Sequence, residues 1–233
     1  MSLLKPYLSS SKANLYVVDD GRTKMILECG CTFKQLQDLL GFRTSGFAGC
    51  MVTHEHSDHS LAAVQLAKRG MAIFATPGTL EALRIADYRY NAHPLEYGKP
   101  RMISTLEIMA FPTVHNAAQP CGFLITSRQK GESLVFATDT YKIGYRFDGV
   151  TEIAVECNYS KDLFSDQLPE AVKRRIMHSH MSLESCRDFL LAQDLSTVRK
   201  IWLVHLSAER SNAEEFRREI QRATGVKTVV AEQ

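Results

Sequence analysis

The sequence lacks the long apolar run that a membrane-spanning helix requires. No stretch of its 233 residues approaches the roughly 20 apolar residues of such a helix. The first residues offer only the apolar pair Leu3-Leu4, followed by Lys5 and Pro6, where a signal peptide would have its apolar core. We therefore expect a cytoplasmic protein with no membrane partner.

Cysteine pairs with the spacing of a zinc finger or a disulfide scaffold are also missing. The six cysteines are scattered, mostly within apolar segments: Cys29, Cys31, Cys50, Cys121, Cys157 and Cys186. Only Cys29-Gly30-Cys31 brings two of them close, and a ligand pair or a disulfide is an alternative there. Without an export signal, reduced cysteines in the core or in turns are favoured.

An excess of one charge is missing as well. The 28 basic and 26 acidic residues give a net charge of +2, so bulk electrostatics do not indicate a nucleic-acid-binding protein. Local basic groups such as Lys173-Arg174-Arg175 and Arg217-Arg218 are more typical of solvated helix faces than of a phosphate-binding track. The chain is 45% hydrophobic, and its length predicts a single domain, residues 1–233.

Short apolar runs that are typical of strands and patterns that are typical of helices follow one another along the chain. The Asp20-Gly21 turn joins two apolar runs, Tyr16 to Leu27, into a hairpin. Two prolines and a glycine predict a surface loop over Asn91–Arg101. Helices are predicted over Phe33–Leu40 (capped by Thr32), Ser60–Arg69, Asp166–Met177, Leu183–Gln193 and Asn212–Ala223.

The densest chemistry in the sequence is the stretch His54-Glu55-His56-Ser57-Asp58-His59. Imidazole and carboxylate groups are ligands for zinc, manganese and iron. Two ions are favoured over one, because four ligands within six residues are hard to direct at a single ion. A polar, capped helix start is the alternative, but the density of ligands favours a metal site.

Other candidate ligands follow apolar strands elsewhere in the chain. His115, Asp139 and His205 each come just after a run that is typical of a strand. Taken singly, His115 would more often be a surface or capping histidine and Asp139 a turn residue. Because strand ends at one edge of a sheet lie close together, we expect these side chains to meet beside the histidine-rich stretch.

With these residues the sequence resembles the metallo-β-lactamase fold hydrolases, whose H-x-H-x-D-H motif it carries from His54 to His59. The resemblance implies an α/β fold, a four-layer αββα sandwich. It also implies that seven residues hold two divalent ions. One ion is held by His54, His56 and His115. The other is held by Asp58, His59 and His205, and Asp139 bridges both ions.

The resemblance extends to the YycJ (WalJ) group within that family. It runs in order through nearly the whole chain, over Ser9–Tyr16, Ile26–Gly30, Glu156–Asn158, Lys173–Ile176, His180–Ser182 and His205–Ser207. That group is similar to RNase Z and RNase J and implies a DNA exonuclease. Glu28 stands where an aspartate is usual, and Tyr159 where a histidine is common. The large extra domain of RNase J-type enzymes has no room here, so a clamp would come from Tyr88–Arg101 or from a second subunit in a homodimer.

Together with this resemblance, the two-metal site implies a phosphodiesterase acting as a 5′-to-3′ exonuclease on DNA, with a metal-bridging hydroxide as the nucleophile. Zn²⁺ and Mn²⁺ are the favoured ions, with iron as a further option. Asp58 would orient the hydroxide. His180 would protonate the leaving oxygen, with Glu156 orienting its imidazole. The alternative is that His180 and Ser182 only cap the following helix.

Two other functional classes are alternatives to the nuclease. The same two metals could serve a small-molecule hydrolase acting on a cyclic nucleotide, a thioester or a lactone, which the modest charge and the absent clamp domain favour. A non-catalytic binding module is the second alternative. The complete set of seven ligands argues against it, since binding alone does not require a two-metal site.

Overall fold

The first half of the chain forms a mixed β-sheet in a computed structural model that describes residues 2–42, 44–88, 90–165 and 167–231. Its strands, in spatial order, are β1 (Leu4–Ser10), β2 (Ala13–Asp19), β3 (Lys24–Cys29), β4 (Cys50–Met51), β5 (Ile73–Ala75) and β6 (Ala92–Pro94). The first three strands pair antiparallel and β3 to β6 pair parallel. The hairpin predicted from the Asp20-Gly21 turn is the β2–β3 pair.

A second mixed sheet is built from the rest of the chain. Its strands are β7 (Arg101–Ile103), β8 (Leu106–Pro112), β9 (Cys121–Ser127), β10 (Glu132–Ala137), β11 (Glu152–Glu156), β12 (Lys200–Val204) and β13 (Thr228–Val230), in the spatial order β13 to β7. Strands β7 to β10 pair antiparallel, while β10 to β13 pair parallel. Because β10 to β13 run parallel, their C-terminal ends lie at the same edge of the sheet. Side chains that follow these strands therefore lie close together.

Helices connect the parallel strands and cover the sheets. They are α1 (Phe33–Leu39), α2 (Ser57–Ser60), α3 (Ala63–Lys68), α4 (Pro77–Ala82), α5 (Glu170–Ser179), α6 (Leu183–Leu191) and α7 (Ala213–Thr224). The single helix predicted over Ser60–Arg69 is instead the pair α2 and α3. The helix predicted from Asp166, which lies outside the described residues, begins at Glu170, because Pro169 disfavours helical backbone at the residue before it.

Three apolar clusters define four layers. The central cluster joins the two sheets, for example through Tyr16 of β2 and Phe136 of β10, whose rings meet edge to face. A second cluster packs α6 and α7 against the second sheet. A third packs α1, α3 and α4 against the first. The order helix, sheet, sheet, helix confirms the predicted αββα sandwich.

The loop predicted over Asn91–Arg101 was also wrong in part. The segment predicted as a surface loop contains β6, which pairs with β5 and includes Pro94. Proline is tolerated there because β6 is an edge strand, so its missing N–H is not needed for a further neighbour. All six cysteines are free and buried, as predicted for reduced thiols. Within the described ranges, no helix has the length and apolar character needed to cross a membrane.

Candidate metal centre

The histidine-rich stretch forms the connection from β4 to α2. His54 follows the strand and is buried, His56 occupies the N-cap of α2, and Asp58 and His59 lie in the first turn of that helix. The helix start keeps Asp58 and His59 next to each other in space, with 3.2 Å between His59 Nε2 and Asp58 Oδ2. A strand end and a helix start therefore direct four donor side chains to one region.

Gly30 lets this loop approach the first sheet. A Cβ atom on Gly30 would lie 1.6 Å from the carbonyl oxygen of Asp58, which no side chain could occupy. The neighbouring Ala62 N–H donates to the Cys29 carbonyl at 3.0 Å. The glycine after β3 is thus required for close contact between the loop and the strand, as is common where two backbones meet.

The distant candidates come from strand ends of the second sheet. His115 follows β8, Asp139 follows β10 and His205 follows β12. Asp139 and His205 adopt left-handed backbone, with φ of 45° and 55°, which is unusual for residues with a side chain. Glu28, at the end of β3, does the same with φ of 63°. With these turns, Asp139 Oδ1 lies 3.2 Å from His205 Nδ1, and Glu28 Oε2 lies 3.6 Å from His59 Nδ1.

One group of donor atoms contains His54, His56, His115 and Asp139, and all of them lie within 4.8 Å of one another. Asp139 Oδ2 is 3.6 Å from His54 Nε2 and 3.4 Å from His115 Nε2. His115 Nε2 is 3.2 Å from His56 Nδ1. Three imidazole nitrogens and a carboxylate oxygen thus converge at a spacing that suits coordination of one cation.

A second group contains Asp58, His59, His205 and, again, Asp139. His205 Nε2 lies 3.4 Å from Asp58 Oδ2, and His59 Nε2 lies 3.5 Å from Asp139 Oδ2. The two groups divide the seven predicted ligands as the family resemblance implies, with Asp139 shared. The structure brings all seven together, and that they bind metal ions stays a prediction.

The donor set fits a divalent cation. His54 Nε2 is buried, points at Asp139 and has no hydrogen-bond partner in the described part of the chain. Burial, followed by the charge of His59, lowers the pKa of His54, which favours the neutral imidazole that a metal needs. Burial raises the pKa of Asp58, but hydrogen bonds from His205 and His59 outweigh it and hold that pKa far below its usual range.

Negative charge at the second group attracts positive charge. Burial lowers the pKa of His205, but Asp139 and Asp58 outweigh this effect and raise it to about 10. The pKa of His59 is raised in the same way, chiefly by Asp139. A field that favours a proton on these rings also favours a metal cation, whose binding displaces such protons.

Surrounding hydrogen bonds orient the ligands. His115 Nδ1 donates a hydrogen bond to the Ser179 carbonyl at 2.9 Å. The other ring nitrogen, Nε2, faces Asp139 and is the one that can coordinate a metal. Asn158 Nδ2 donates to the His205 carbonyl at 2.8 Å, and the His205 N–H donates to Ser9 Oγ at 3.0 Å. Asn14 Nδ2 donates to the Asp58 carbonyl at 3.2 Å. Sequence reasoning missed these orienting roles, because isolated Ser and Asn residues carry no metal-site pattern.

Glu28, the departure from the usual aspartate, lies under the loop. Its buried Oε1 accepts from the Thr53 N–H at 3.3 Å, and its Oε2 lies 3.6 Å from His59 Nδ1. Burial raises the pKa of Glu28. The longer side chain thus keeps a carboxylate beside His59, at a distance beyond a normal hydrogen bond.

The predicted proton donor lies beside the two groups. His180 Nδ1 donates to Glu156 Oε1 at 2.6 Å. The other oxygen of the buried Glu156 accepts from the backbone N–H of Thr140 at 2.8 Å and of Met181 at 3.3 Å. Burial lowers the pKa of His180, but the Glu156 charge outweighs it and raises the pKa. The cap of α6 is Ser182, whose hydroxyl accepts from Ser185 N–H, and the His180 side chain takes no part in it.

A cavity of about 250 Å³ opens onto both groups. The predicted ligands His56, Asp58, His115, Asp139 and His205 line it together with His180. The remaining lining residues come from the β1–β2 turn, the loop after β8 and helix α5: Ser11, Asn116, Arg175, Ile176 and Ser179. The segment Tyr88–Arg101, considered above as a clamp, contributes none of the described lining residues.

Comparison with known proteins agrees with this architecture. Residues 27–206 match the family model described as the Beta-lactamase superfamily domain. The exodeoxyribonuclease WalJ of Streptococcus pneumoniae is 27% identical over 219 residues, covering 87% of this chain and 81% of that protein. The exodeoxyribonuclease YycJ of Bacillus anthracis is 24% identical over 223 residues, covering 88% and 83%.

Solved structures support the same fold. The metallo-β-lactamase fold protein YhfI from Bacillus subtilis superimposes with a TM-score of 0.73 at 13% identity, covering 99% of this chain and 95% of that one. The family match spans the histidine-rich loop, Asp139 and His205. The chain therefore belongs to the metallo-β-lactamase superfamily and is a metal-dependent hydrolase.

Proposed function

We propose that this hydrolase is a DNA exonuclease that cleaves phosphodiester bonds in the 5′-to-3′ direction with two divalent ions, Zn²⁺ or Mn²⁺, iron being the further option. The observation that carries the proposal is a single cavity with two donor groups that share Asp139, beside the His180–Glu156 pair. The relatives named exodeoxyribonucleases support DNA as the substrate.

The two donor groups define the roles of the ligands. When bound, two divalent cations supply a water of lowered pKa and positive charge next to the phosphodiester oxygens. Asp58, whose Oδ2 lies 3.2 Å from His59 Nε2 and 3.4 Å from His205 Nε2, would accept a hydrogen bond from such a water and orient it. Asp139 holds the two groups together, since its carboxylate reaches histidines of both.

His180 and Glu156 handle the proton of the leaving group. Cleavage breaks the bond from phosphorus to an ester oxygen, and that oxygen must gain a proton to leave as an alcohol. Because Nδ1 of His180 donates to Glu156, Nε2 is the nitrogen available to give its proton to the leaving oxygen. The Glu156 carboxylate stabilises the protonated ring, and two backbone N–H groups keep that carboxylate in place.

A small-molecule hydrolase is the second candidate, favoured by the missing clamp. The segment Tyr88–Arg101 adds none of the described residues that line the cavity, so the described part of the site has no clamp for a polymer. A cyclic nucleotide, a thioester or a lactone would then be the substrate. A binding module is disfavoured, because a binding role needs neither the shared carboxylate nor a histidine held ready to donate a proton.

The test is a substrate panel with purified protein and Zn²⁺, Mn²⁺ or Fe²⁺. DNA labelled at either end, RNA, cyclic nucleotides, a thioester and a lactone are compared. We expect release of mononucleotides from the 5′ end of DNA and loss of more than about 100-fold in turnover for Asp58→Ala. The matched control is Asp38→Ala, which removes an exposed carboxylate from α1 and should leave turnover unchanged.

Three results would contradict the proposal. Intact DNA with every metal rejects the nuclease, and equal cutting by Asp58→Ala rejects the role of that residue. Cleavage of the small substrates alone would select the second candidate.

We also propose that residues 1–233 form one domain and that the protein is a homodimer. Cooperative unfolding and the mass in solution by light scattering check these two points.

A further inference from the structure

Arg175 stands apart from the other basic residues of α5. Lys173 pairs with Glu170 at 3.0 Å, as expected for a solvated helix face. Arg175 is exposed and lines the cavity, and within the described residues its guanidinium has no hydrogen bond or ion pair. Arg174, the next residue back, does not line the cavity. One of three adjacent cations therefore faces the site with its charge uncompensated.

The position of Arg175 is fixed by its connection to the ligands. Ser179 Oγ, one turn along α5, donates to the Arg175 carbonyl at 2.7 Å. The Ser179 carbonyl accepts from His115 Nδ1. Arg175 thus lies one helical turn from a residue that touches a candidate ligand, and its long side chain can reach a neighbouring phosphate.

An aromatic pair lies about one helical turn along α5 from Arg175. His178, three residues along α5, stacks on Tyr141 with 6.0 Å between ring centroids and 21° between planes. His178 Nδ1 donates to the Arg174 carbonyl at 2.7 Å, which fixes its ring. Tyr141 follows Asp139 by two residues, and its N–H donates to the carbonyl of Val114, next to His115. Tyr141 nevertheless keeps 40% of its surface exposed.

We infer that Arg175 and the Tyr141–His178 pair form a binding site for one nucleotide of single-stranded DNA, beside the phosphate that is cleaved. Arg175 binds the adjacent backbone phosphate, and the Tyr141–His178 pair provides a flat surface on which the base stacks. Guanidinium groups bind phosphate through several parallel hydrogen bonds, and an exposed aromatic ring stacks with any base. The inference rests on the proposed nuclease function and names the part of the chain that holds its substrate.

Charge and shape favour nucleic acid as the occupant. An uncompensated cation one helical turn from an exposed aromatic pair matches the alternation of phosphate and base along a single strand. The same arrangement explains how a chain with a net charge of only +2 can hold a polyanion, since one well-placed arginine acts where the phosphate lies.

The test compares single-stranded DNA cleavage by Arg175→Gln and by the control Arg174→Gln. We expect KM to rise about tenfold for Arg175→Gln and to stay unchanged for the control. The slope of log KM against log salt should fall by about 0.7, the value for one phosphate contact on a single strand. Arg175→Lys keeps the charge and should keep most of the slope, which a purely structural effect would not.

The aromatic half is tested with Tyr141→Ala and the control Tyr141→Phe. We expect a rise in KM of about tenfold for Tyr141→Ala on normal DNA, little change for Tyr141→Phe, and no effect of either on an oligonucleotide with abasic terminal positions. Binding of a cleavage-resistant phosphorothioate oligonucleotide, followed by fluorescence anisotropy, gives the same comparison without turnover.

The outcomes separate this inference from the proposed function. If the wild type cuts DNA but Arg175→Gln matches Arg174→Gln, or the Tyr141→Ala effect persists on abasic DNA, the inference is overturned and the nuclease stands. If the wild type binds DNA through both residues without cutting it, the inference stands and the nuclease fails. Absence of both binding and cutting overturns both.

Discussion

At the scale of single residues, the candidate site is held in backbone conformations that side chains normally avoid. Glu28, Asp139 and His205 all have positive φ, at a cost of about 1–3 kcal/mol each. Contacts from the protein hold them there, such as the two backbone bonds of His205 with Ser9 and Asn158. Backbone strain at two candidate ligands, Asp139 and His205, and at the supporting Glu28 indicates that the geometry of the site is held in place by the surrounding fold.

Gly30 offers the sharpest test at this scale. In Gly30→Ala the new Cβ would overlap the Asp58 carbonyl, so the histidine-rich loop must move away from β3. We expect the free energy of unfolding to fall by about 1–3 kcal/mol. We also expect the bound metal per chain to fall, because Asp58 and His59 move with the loop. Urea denaturation and elemental analysis measure the two quantities.

Gly46→Ala is the matched control for that substitution. A Cβ at Gly46 meets no atom within 4 Å, and its φ is not positive. Stability and metal content should therefore stay at wild-type values in the control. Full metal content in Gly30→Ala would show that the loop geometry is not needed to hold the ions.

The candidate ligands could be predicted from the sequence, whereas their supports could not. His54 to His59 form a dense motif, and His115, Asp139 and His205 share a position after apolar runs. Asn14 and Asn158 follow no such rule, since Asn is common in turns and only the folded chain shows what it contacts. Arg175 was interpreted as part of a solvated helix face, because three adjacent cations look alike until the helix direction is known.

At the scale of elements, two residues at the junction between α5 and α6 have different roles. One contacts Glu156 in the candidate site, and the other caps α6. His180 ends α5 and its side chain reaches Glu156, while Ser182 caps α6 through its hydroxyl. The sequence left both roles open for His180, since a polar residue before a helix can cap it. The structure assigns the cap to Ser182 alone.

This division predicts opposite effects of two nearby substitutions. Ser182→Ala removes the cap bond and should lower the free energy of unfolding by about 1 kcal/mol, with turnover within about twofold of wild type. His180→Ala should lower turnover about 100-fold or more while metal content persists. Urea denaturation, DNA cleavage and elemental analysis on both variants check this. Unchanged turnover in His180→Ala would remove its proposed role as proton donor.

The sequence predicted the boundaries of helices and strands correctly where a turn or cap residue lies at the point at which the folded element ends or begins. The Asp-Gly turn fixed the β2–β3 hairpin, and Thr32 caps α1 as expected, its hydroxyl accepting from Gln35 N–H. The predicted Ser60–Arg69 helix failed at its start because Ser57 to Ser60 already form a turn that carries ligands. Strand β6 was missed because three residues with a proline lack the alternation that marks a strand.

At the scale of the whole molecule, Asp20 joins the two sheets. Its Oδ1 accepts from the backbone N–H of Arg22 and Thr23 in the β2–β3 turn. Its Oδ2 accepts from the hydroxyls of Thr105 at 2.6 Å and Ser127 at 3.0 Å, which border strands of the second sheet. One carboxylate, 1% exposed, thus receives four hydrogen bonds from both sides of the sandwich.

These bonds make part of the stability depend on pH. Burial raises the pKa of Asp20, but the hydrogen bonds, first that from Thr105, outweigh it and lower the pKa from 3.8 to about 2. A carboxyl with a lowered folded pKa binds fewer protons when folded, so its contribution is complete above the unfolded pKa. That contribution is lost as pH falls from about 4 towards about 2.

Asp20→Asn should therefore lower the free energy of unfolding at neutral pH by about 1–3 kcal/mol, because an amide cannot accept all four bonds. The difference between wild type and variant should shrink as pH falls below 4, down to the lowest pH at which both proteins fold. Urea denaturation across this range measures it, with Asp148→Asn, an exposed carboxyl, as the control. A difference that stays constant with pH would show that the Asp20 charge is not what joins the two sheets.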